Sequence, residues 1–273
     1  MSVLLQISDP HFGTERPPVV AALAELVHRQ KPSVIVLSGD ITQRARPREF
    51  DSALRFLKSC QVARVLCIPG NHDISLFNPI ARFCFPYASY SRAFGAELEP
   101  EHESPSLLVL CVNTTRRYRV TDGEVSRTQV ERVAQRLREA SPEQLRVVVT
   151  HQPVHVVRES DRKNLLGGHE RAVGAWSAAG ADLILGGHIH LPYVRLLSDA
   201  FPSLPRRTWS VQAGTALSNR LRGGTSNSVN LLHHSTGEPH ACDVERWDYV
   251  DESSAFVRVQ ALKLELERFS LAR

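Results

Sequence analysis

The sequence predicts a layered α/β fold with a parallel sheet, and three observations predict it. Short apolar runs rich in β-branched residues alternate with amphipathic stretches of helix length over the first two-thirds of the chain. Most of those runs end in polar residues beside a glycine. After Tyr193 the alternation stops, and β-rich runs follow with no long helix between them.

Residues 3–8 are the first strand, followed by Ser8-Asp9-Pro10-His11. Pro17-Pro18 open a helix whose Val19, Val20, Leu23, Leu26 and Val27 recur at i, i+3/i+4, i+7. The second strand, 33–38, ends in Gly39-Asp40. A second helix spans about Arg48 to Ser59, with Phe50, Leu54 and Leu57 on one face. The third strand occupies 62–69 and ends in Gly70-Asn71-His72-Asp73. Residues 76–105 are irregular and carry Phe77, Phe83, Phe85, Tyr87, Tyr90 and Phe94 between prolines. They read as a partly helical insertion over the site, its aromatics used for local packing.

A strand over 107–112 leads to Asn113, and Asp122-Gly123 is a turn. Ser126-x-x-Gln129 is a capping box for a helix with Val130, Val133, Ala134 and Leu137 inward. The strand 145–150 ends in His151. A helix lies between Gly168 and Ala179, and the strand 181–185 ends in Gly186-Gly187-His188-Ile189-His190. The runs 193–197, 208–213, 226–232, 242–250 and 255–266 read as antiparallel strands closing a second sheet. The stretch 241–273 is an edge hairpin, open to cover by a second copy in a homodimer. With no Pro/Gly/Ser linker, residues 1–273 read as one domain.

Of 273 residues, 42% are hydrophobic and 23% charged, and the net charge is +4. The mild basicity suits a small anionic substrate, and no Lys/Arg block is dense enough for a nucleic-acid arm. The five cysteines are odd in number and lack CxxC spacing, as expected of reduced thiols in a cytoplasmic protein. The first seven residues are too short for a signal h-region. No apolar run approaches the ~20 residues of a membrane span.

The chemistry lies at the strand ends: Asp9 and His11, Asp40, Asn71 and His72, His151, His188 and His190. If these strands share one sheet and one direction, the groups meet along one edge. Carboxylate, amide and imidazole together suit Mn, Fe, Zn or Co, and the lack of thiolate argues against structural zinc. Seven ligands exceed one tetrahedral ion and suit two divalent ions sharing a bridging carboxylate, each with a position open to water. Asp9 and Asp40, buried together, need a cation. Singly, each motif is no more than a loop or turn; their succession carries the signal.

In that order and spacing, Asp9-x-His11, Gly39-Asp40, Gly70-Asn71-His72-Asp73, His151 and Gly187-His188-x-His190 resemble the motif set of the calcineurin-like metallophosphoesterases, over about residues 1–235. Within that superfamily the chain most resembles the bacterial class III cyclic nucleotide phosphodiesterases. The stretches 38–42 and Gln212-Ala213-Gly214-Thr215-Ala216 support this. The resemblance implies a four-layer α/β/β/α sandwich with two mixed sheets and a dinuclear metal site. It gives Asp9, His11 and His190 to one ion, and Asn71, His151 and His188 to the other, with Asp40 bridging. His72 would be catalytic, off the metals and facing the substrate phosphate. Gln152 departs from the pattern, because many relatives have a second histidine there. Asp73 would orient His72 or stabilise the turn. Arg220 and Arg222 would hold a second phosphate or a ribose face, against the plainer reading of a solvated basic loop. Arg116, Arg117 and Arg119 have the same two readings.

The expected function is hydrolysis of a small phosphodiester by a metal-bridging hydroxide, with cyclic nucleotides the first candidates. The alternatives are a nuclease or another phosphoester hydrolase on the same site, such as a pyrophosphatase of nucleotides or lipid precursors, or a phosphomonoesterase. A catalytically dead scaffold is the non-enzyme alternative. The absence of a dense basic face argues against a nuclease, and the intact ligand set against a scaffold.

Overall fold

The computed structural model describes residues 2–76 and 78–268; Phe77 and residues 1 and 269–273, the last belonging to the expected hairpin, lie outside them. In chain order the elements are β1 (Ser2–Ile7), α1 (Pro17–Gln30), β2 (Val34–Ser38), α2 (Pro47–Cys60), β3 (Val65–Ile68), α3 (Pro79–Cys84), α4 (Ala88–Phe94), β4 (Glu101–Ser104), β5 (Leu107–Cys111), α5 (Arg127–Arg138), β6 (Leu145–Val149), α6 (His169–Ala179), β7 (Leu183–Gly186), β8 (Tyr193–Leu196), β9 (Trp209–Gln212), β10 (Ser228–His234), β11 (Ala241–Val250) and β12 (Ala255–Glu265). No helix among the described residues is long and apolar enough to cross a membrane.

The strands form two six-stranded mixed sheets, ordered β12-β11-β10-β1-β2-β3 and β4-β5-β6-β7-β9-β8. Both faces of the central strands are apolar, and alternation sends successive side chains to different layers. Leu4, Val34 and Val36 of the first sheet meet Val109, Val147 and Leu185 of the second. Their neighbours Leu5, Ile35 and Leu37 pack with Val19, Leu23 and Phe50 of α1 and α2. Leu108, Val148 and Ile184 pack with Val133 of α5 and Trp176 of α6. Burying each such side chain contributes roughly 1.5–3 kcal/mol. The result is the four-layer α/β/β/α arrangement.

The capping box at Ser126 forms as expected: its side chain accepts from the Gln129 N–H, and Gln129 Oε1 accepts from the Ser126 N–H. The five late β-rich runs are all strands, but they do not close a second antiparallel sheet. β10, β11 and β12 extend the first sheet antiparallel from β1, whereas β8 and β9 join the second, where β9 runs parallel to β7. The physical reason is β1. Buried as it is, its backbone N–H and C=O groups need partners on both edges, and β10 fills the edge away from β2, setting Leu231 beside Leu5.

The expected insertion packs on the sheets. β4 pairs with β5, and Tyr90 is fully buried 6.3 Å from Phe50 and 5.2 Å from Phe94, its hydroxyl donating to the Cys67 carbonyl. Phe83 and Phe85, by contrast, face solvent.

Candidate metal centre

β1, β2 and β3 are mutually parallel, as are β5, β6 and β7, and the groups of interest follow their C-terminal ends. They come from two facing sheets, not from the single edge the sequence suggested. Stitches between the sheets hold the two edges together: Gln6 donates to the Gly186 carbonyl at 3.0 Å, and His151 Nδ1 to the Ser38 carbonyl at 2.9 Å.

The structure brings every candidate ligand to this seam. Single ligand atoms of Asp9, His11 and His190 lie within 4.8 Å of one another, and so do those of Asp40, His151 and His188. Asp40 spans the two groups, with Oδ1 3.3 Å from His151 Nε2 and Oδ2 3.7 Å from His11 Nε2. Asn71 Oδ1 is 3.3 Å from His151 Nε2.

Five of these residues, Asp9, His11, Asp40, His188 and His190, have φ between 44° and 69°. The left-handed region costs non-glycine residues of order 1 kcal/mol each and persists only where the surroundings impose it. These turns bring Asp9 and His11 into one group and divide His188 and His190 between the two. Gly39, at φ 96°, lies so close to the His151 ring that a Cβ there would collide with it.

The hydrogen bonds leave lone pairs facing one another. Asp9 Oδ2 accepts from Ser8 Oγ at 2.6 Å and from the His188 N–H at 2.9 Å, whereas its buried Oδ1 has no hydrogen-bond partner. His151 and His190 give Nδ1–H to the carbonyls of Ser38 and Arg220, so each points Nε2 inward. A backbone carbonyl is a usual means of fixing a metal-binding tautomer. Those Nε2 atoms lie 3.3 Å from Asp40 Oδ1 and Asp9 Oδ1 respectively. Each pair needs a proton or a metal cation between its atoms, and the donor set of oxygen and imidazole nitrogen fits two divalent cations.

The protonation states agree. Burial drives His11 down to about 3 and His188 to about 4, so both are neutral. Burial opposes ionising Asp9 and Asp40, yet the imidazoles beside them, His190 and His151 foremost, hold both below the usual carboxylate range. Burial also disfavours charging His151, but Asp40 raises it to about 9. Without a metal, a proton on His151 supplies the missing positive charge.

His72 stands beside this cluster. Its Nδ1 donates to the Gln43 carbonyl at 2.8 Å, which turns Nε2 toward a cavity of about 410 Å³, 3.2 Å from Arg220 Nη1. Asp73 does not orient the ring. Its carboxylate accepts from the amides of Ile41, Thr42 and Gly70 and from the Thr42 hydroxyl, fastening the β2 and β3 end loops together. Arg220 also donates to Gln43 Oε1. Arg222 borders the same cavity, but its guanidinium is engaged by Asp161 and the Ile189 carbonyl. Arg116 and Arg119 are tied to Glu124, and Arg117 donates to the Phe83 carbonyl. Gln152 accepts from Thr114 Oγ1 and donates to the Thr121 carbonyl, so it supports the loop beside the cavity.

The outer wall was not legible in the sequence. It includes Thr121, Asp122, Lys163 and Asn164, whereas 78–105 contributes nothing to the lining. The hydrophilic stretch 159–164 gives no periodic signal; its buried Asp161 is visible only in three dimensions.

Facing sheets with imidazoles, carboxylates and an amide at their common C-terminal seam define a metallophosphoesterase. Residues 2–192 match the family described as calcineurin-like phosphoesterase, and the chain belongs to that family. It is 35% identical over 82 residues to "Glycerophosphodiester phosphodiesterase GpdQ" of Enterobacter lignolyticus (strain SCF1), a match covering 26% of this chain and 29% of that protein. The chain thus aligns to less than a third of that relative's length. In fold it is similar to a dimetal phosphatase from Danio rerio, with a TM-score of 0.68, 14% identity and coverage of 97% of this chain and 99% of the other. It is also similar to the purple acid phosphatase PPD1 from yellow lupin seeds, with a TM-score of 0.69, 10% identity and coverage of 97% and 53%.

Proposed function

We propose that the protein hydrolyses a small phosphodiester on a pair of divalent cations. The position of Asp40, one carboxylate oxygen toward His151 and the other toward His11, carries this reading. Asp9, His11 and His190 would hold one ion, and Asn71, His151 and His188 the other, with Asp40 shared. Mn, Fe and Zn all suit these donors. When bound, such a pair lowers the pKa of water to near neutrality and neutralises the phosphoryl oxygens.

The protein's own groups do the rest. Ser38 and Arg220 carbonyls hold the His151 and His190 rings with Nε2 inward. Gln43 holds His72 with Nε2 toward the cavity, where the ring serves as proton donor to a phosphoryl or leaving oxygen. Arg220, adjacent to that nitrogen, binds a non-bridging oxygen.

Cyclic nucleotides are the first substrate candidates from the sequence, and the local likeness to a glycerophosphodiester phosphodiesterase adds glycerol diesters. A homodimer through the C-terminal hairpin belongs to the same proposal: β12 is an edge strand whose Val257 and Val259 are exposed. The cytoplasmic reading rests on buried, unpaired Cys60, Cys67, Cys111 and Cys242.

The test is turnover by metal-free protein supplied with Mn, Fe or Zn. The panel comprises bis- and mono-p-nitrophenyl phosphate, 2′,3′- and 3′,5′-cyclic nucleotides, and glycerophosphocholine. Metal-dependent hydrolysis of diesters over the monoester is expected. A preference for the monoester, or metal-independent turnover, overturns the reading.

A further inference from the structure

Lys163 lines the cavity with no hydrogen bond or ion pair among the described residues. Its neighbours are paired: Arg162 is 3.5 Å from Glu159, and Asp161 is 2.5 Å from Arg222. Asp161 is 1% exposed, and Arg222 also donates to the Ile189 carbonyl at 2.8 Å. That single guanidinium ties the 3-10 turn Glu159–Asn164 to the peptide between His188 and His190. The turn therefore stands at a fixed place over the metal centre, and Lys163 and Asn164 face the cavity from it.

We propose that Lys163 binds an anionic group of the substrate outside the two-cation cradle, and that the Asp161–Arg222 pair is the positioning device that presents it. The inference rests on the phosphodiesterase reading and deepens it by naming the substrate class, a diester that carries a second negative charge. Formal charge supports this. Two divalent ions, Arg220 and Lys163, set against Asp9, Asp40 and one hydroxide, leave a surplus of positive charge, Asp122 being offset by Arg119 4.0 Å away. A singly charged diester offsets part of that surplus, and a second anionic group offsets more. Arg222, which the sequence offered as a phosphate ligand, is neutralised by Asp161; among the described residues, the side chain of Lys163 on this wall has no such partner.

The phosphate and carboxylate versions of that second group are separable by calorimetry. Mn-loaded full-length protein, wild type, K163A and K163R, is titrated with glycerol 3-phosphate, with 3-phosphoglycerate (an added carboxylate) and with glycerol 1,3-bisphosphate (an added phosphate). In wild type at least one of the two probes with an added anionic group should bind about tenfold tighter than glycerol 3-phosphate, itself a monoester of charge about −2. K163A should bring that ratio close to one, and K163R should restore most of it. Arg222→Lys, which keeps the charge but loses the fork to Asp161 and Ile189, should lower the ratio without adding or removing charge. No preference in wild type, or a preference that survives K163A, overturns the proposal. Bis(p-nitrophenyl) phosphate turnover is measured alongside. Charge-selective binding without diester hydrolysis would sink the phosphodiesterase reading alone, whereas hydrolysis without the preference would sink the Lys163 assignment alone.

Discussion

The Nε2 atoms of His11 and His190 lie 3.1 Å apart, facing one another across the two sheets. His190 gives Nδ1–H to the Arg220 carbonyl and against the effect of burial is raised by Asp9, whereas burial keeps His11 neutral. Two imidazole nitrogens held this close at the ends of β1 and β7 need a proton or a metal cation between them. The same logic applies at Asp40 and His151. Backbone held in the left-handed region at five ligand positions is the conformational cost of that convergence.

His72 is the residue whose loss should separate metal binding from turnover. It lies beside the ligands, its ring 4.8 Å from that of His11, yet Gln43 rather than a ligand orients it. His72→Ala should retain both metals by elemental analysis and lose roughly 10²–10⁴ in kcat, the usual range for a general acid. A metal-replete variant with full turnover would remove His72 from the mechanism.

Asp73 should behave as a structural residue. Asp73→Ala leaves the buried amides of Ile41, Thr42 and Gly70 without an acceptor. Each such loss costs about 1–3 kcal/mol, so destabilisation of at least about 3 kcal/mol is expected in urea unfolding. Asp73→Asn should recover part of it. A fully stable Asp73→Ala variant with a shifted pH–rate profile would restore the role of orienting His72.

Gly39→Ala should damage the centre from behind. The new methyl would enter the space of the His151 ring, at a φ of 96° that alanine disfavours. The expected result is loss of the ion held by His151, about one metal equivalent per chain, together with a lowered Tm. Two tightly bound equivalents in this variant would contradict the geometry.

How much of this was legible follows from sequence distance. Asp9, Asp40, Asn71, His151 and His188 each lie within four residues of an apolar strand, so the strand pattern alone locates them. The capping box at Ser126 is likewise local. The division of the ligands between two sheets depends on long-range pairings, β1 with β10 and β7 with β9, which no local period reveals. Lys163 and Thr121 sit on loops without a pattern, and the role of Asp73 depends on amides thirty residues away.

Thiol reactivity checks the packing independently. Cys84 is exposed, whereas Cys60, Cys67, Cys111 and Cys242 are buried, and burial raises all four, Cys60 to about 11. Native protein at pH 8 should therefore take up iodoacetamide rapidly at Cys84 alone, and at five sites after unfolding. A thiol raised on folding stabilises the fold fully below its ordinary pKa of 9.0 and loses that contribution as pH rises toward about 11. The Tm difference between wild type and Cys60→Ala should shrink across that window. Rapid native labelling of Cys111 would mean that the core between the sheets is open, and of Cys67 that the helical layer over the first sheet is open.

The central claim is that two cations share Asp40. Anomalous diffraction from a Mn-loaded crystal tests it most directly. Two peaks are predicted, one among Asp9, His11 and His190 and one among Asn71, His151 and His188, each within about 2–2.5 Å of an Asp40 oxygen. A single peak, or peaks that leave Asp40 outside the coordination of either ion, would contradict it.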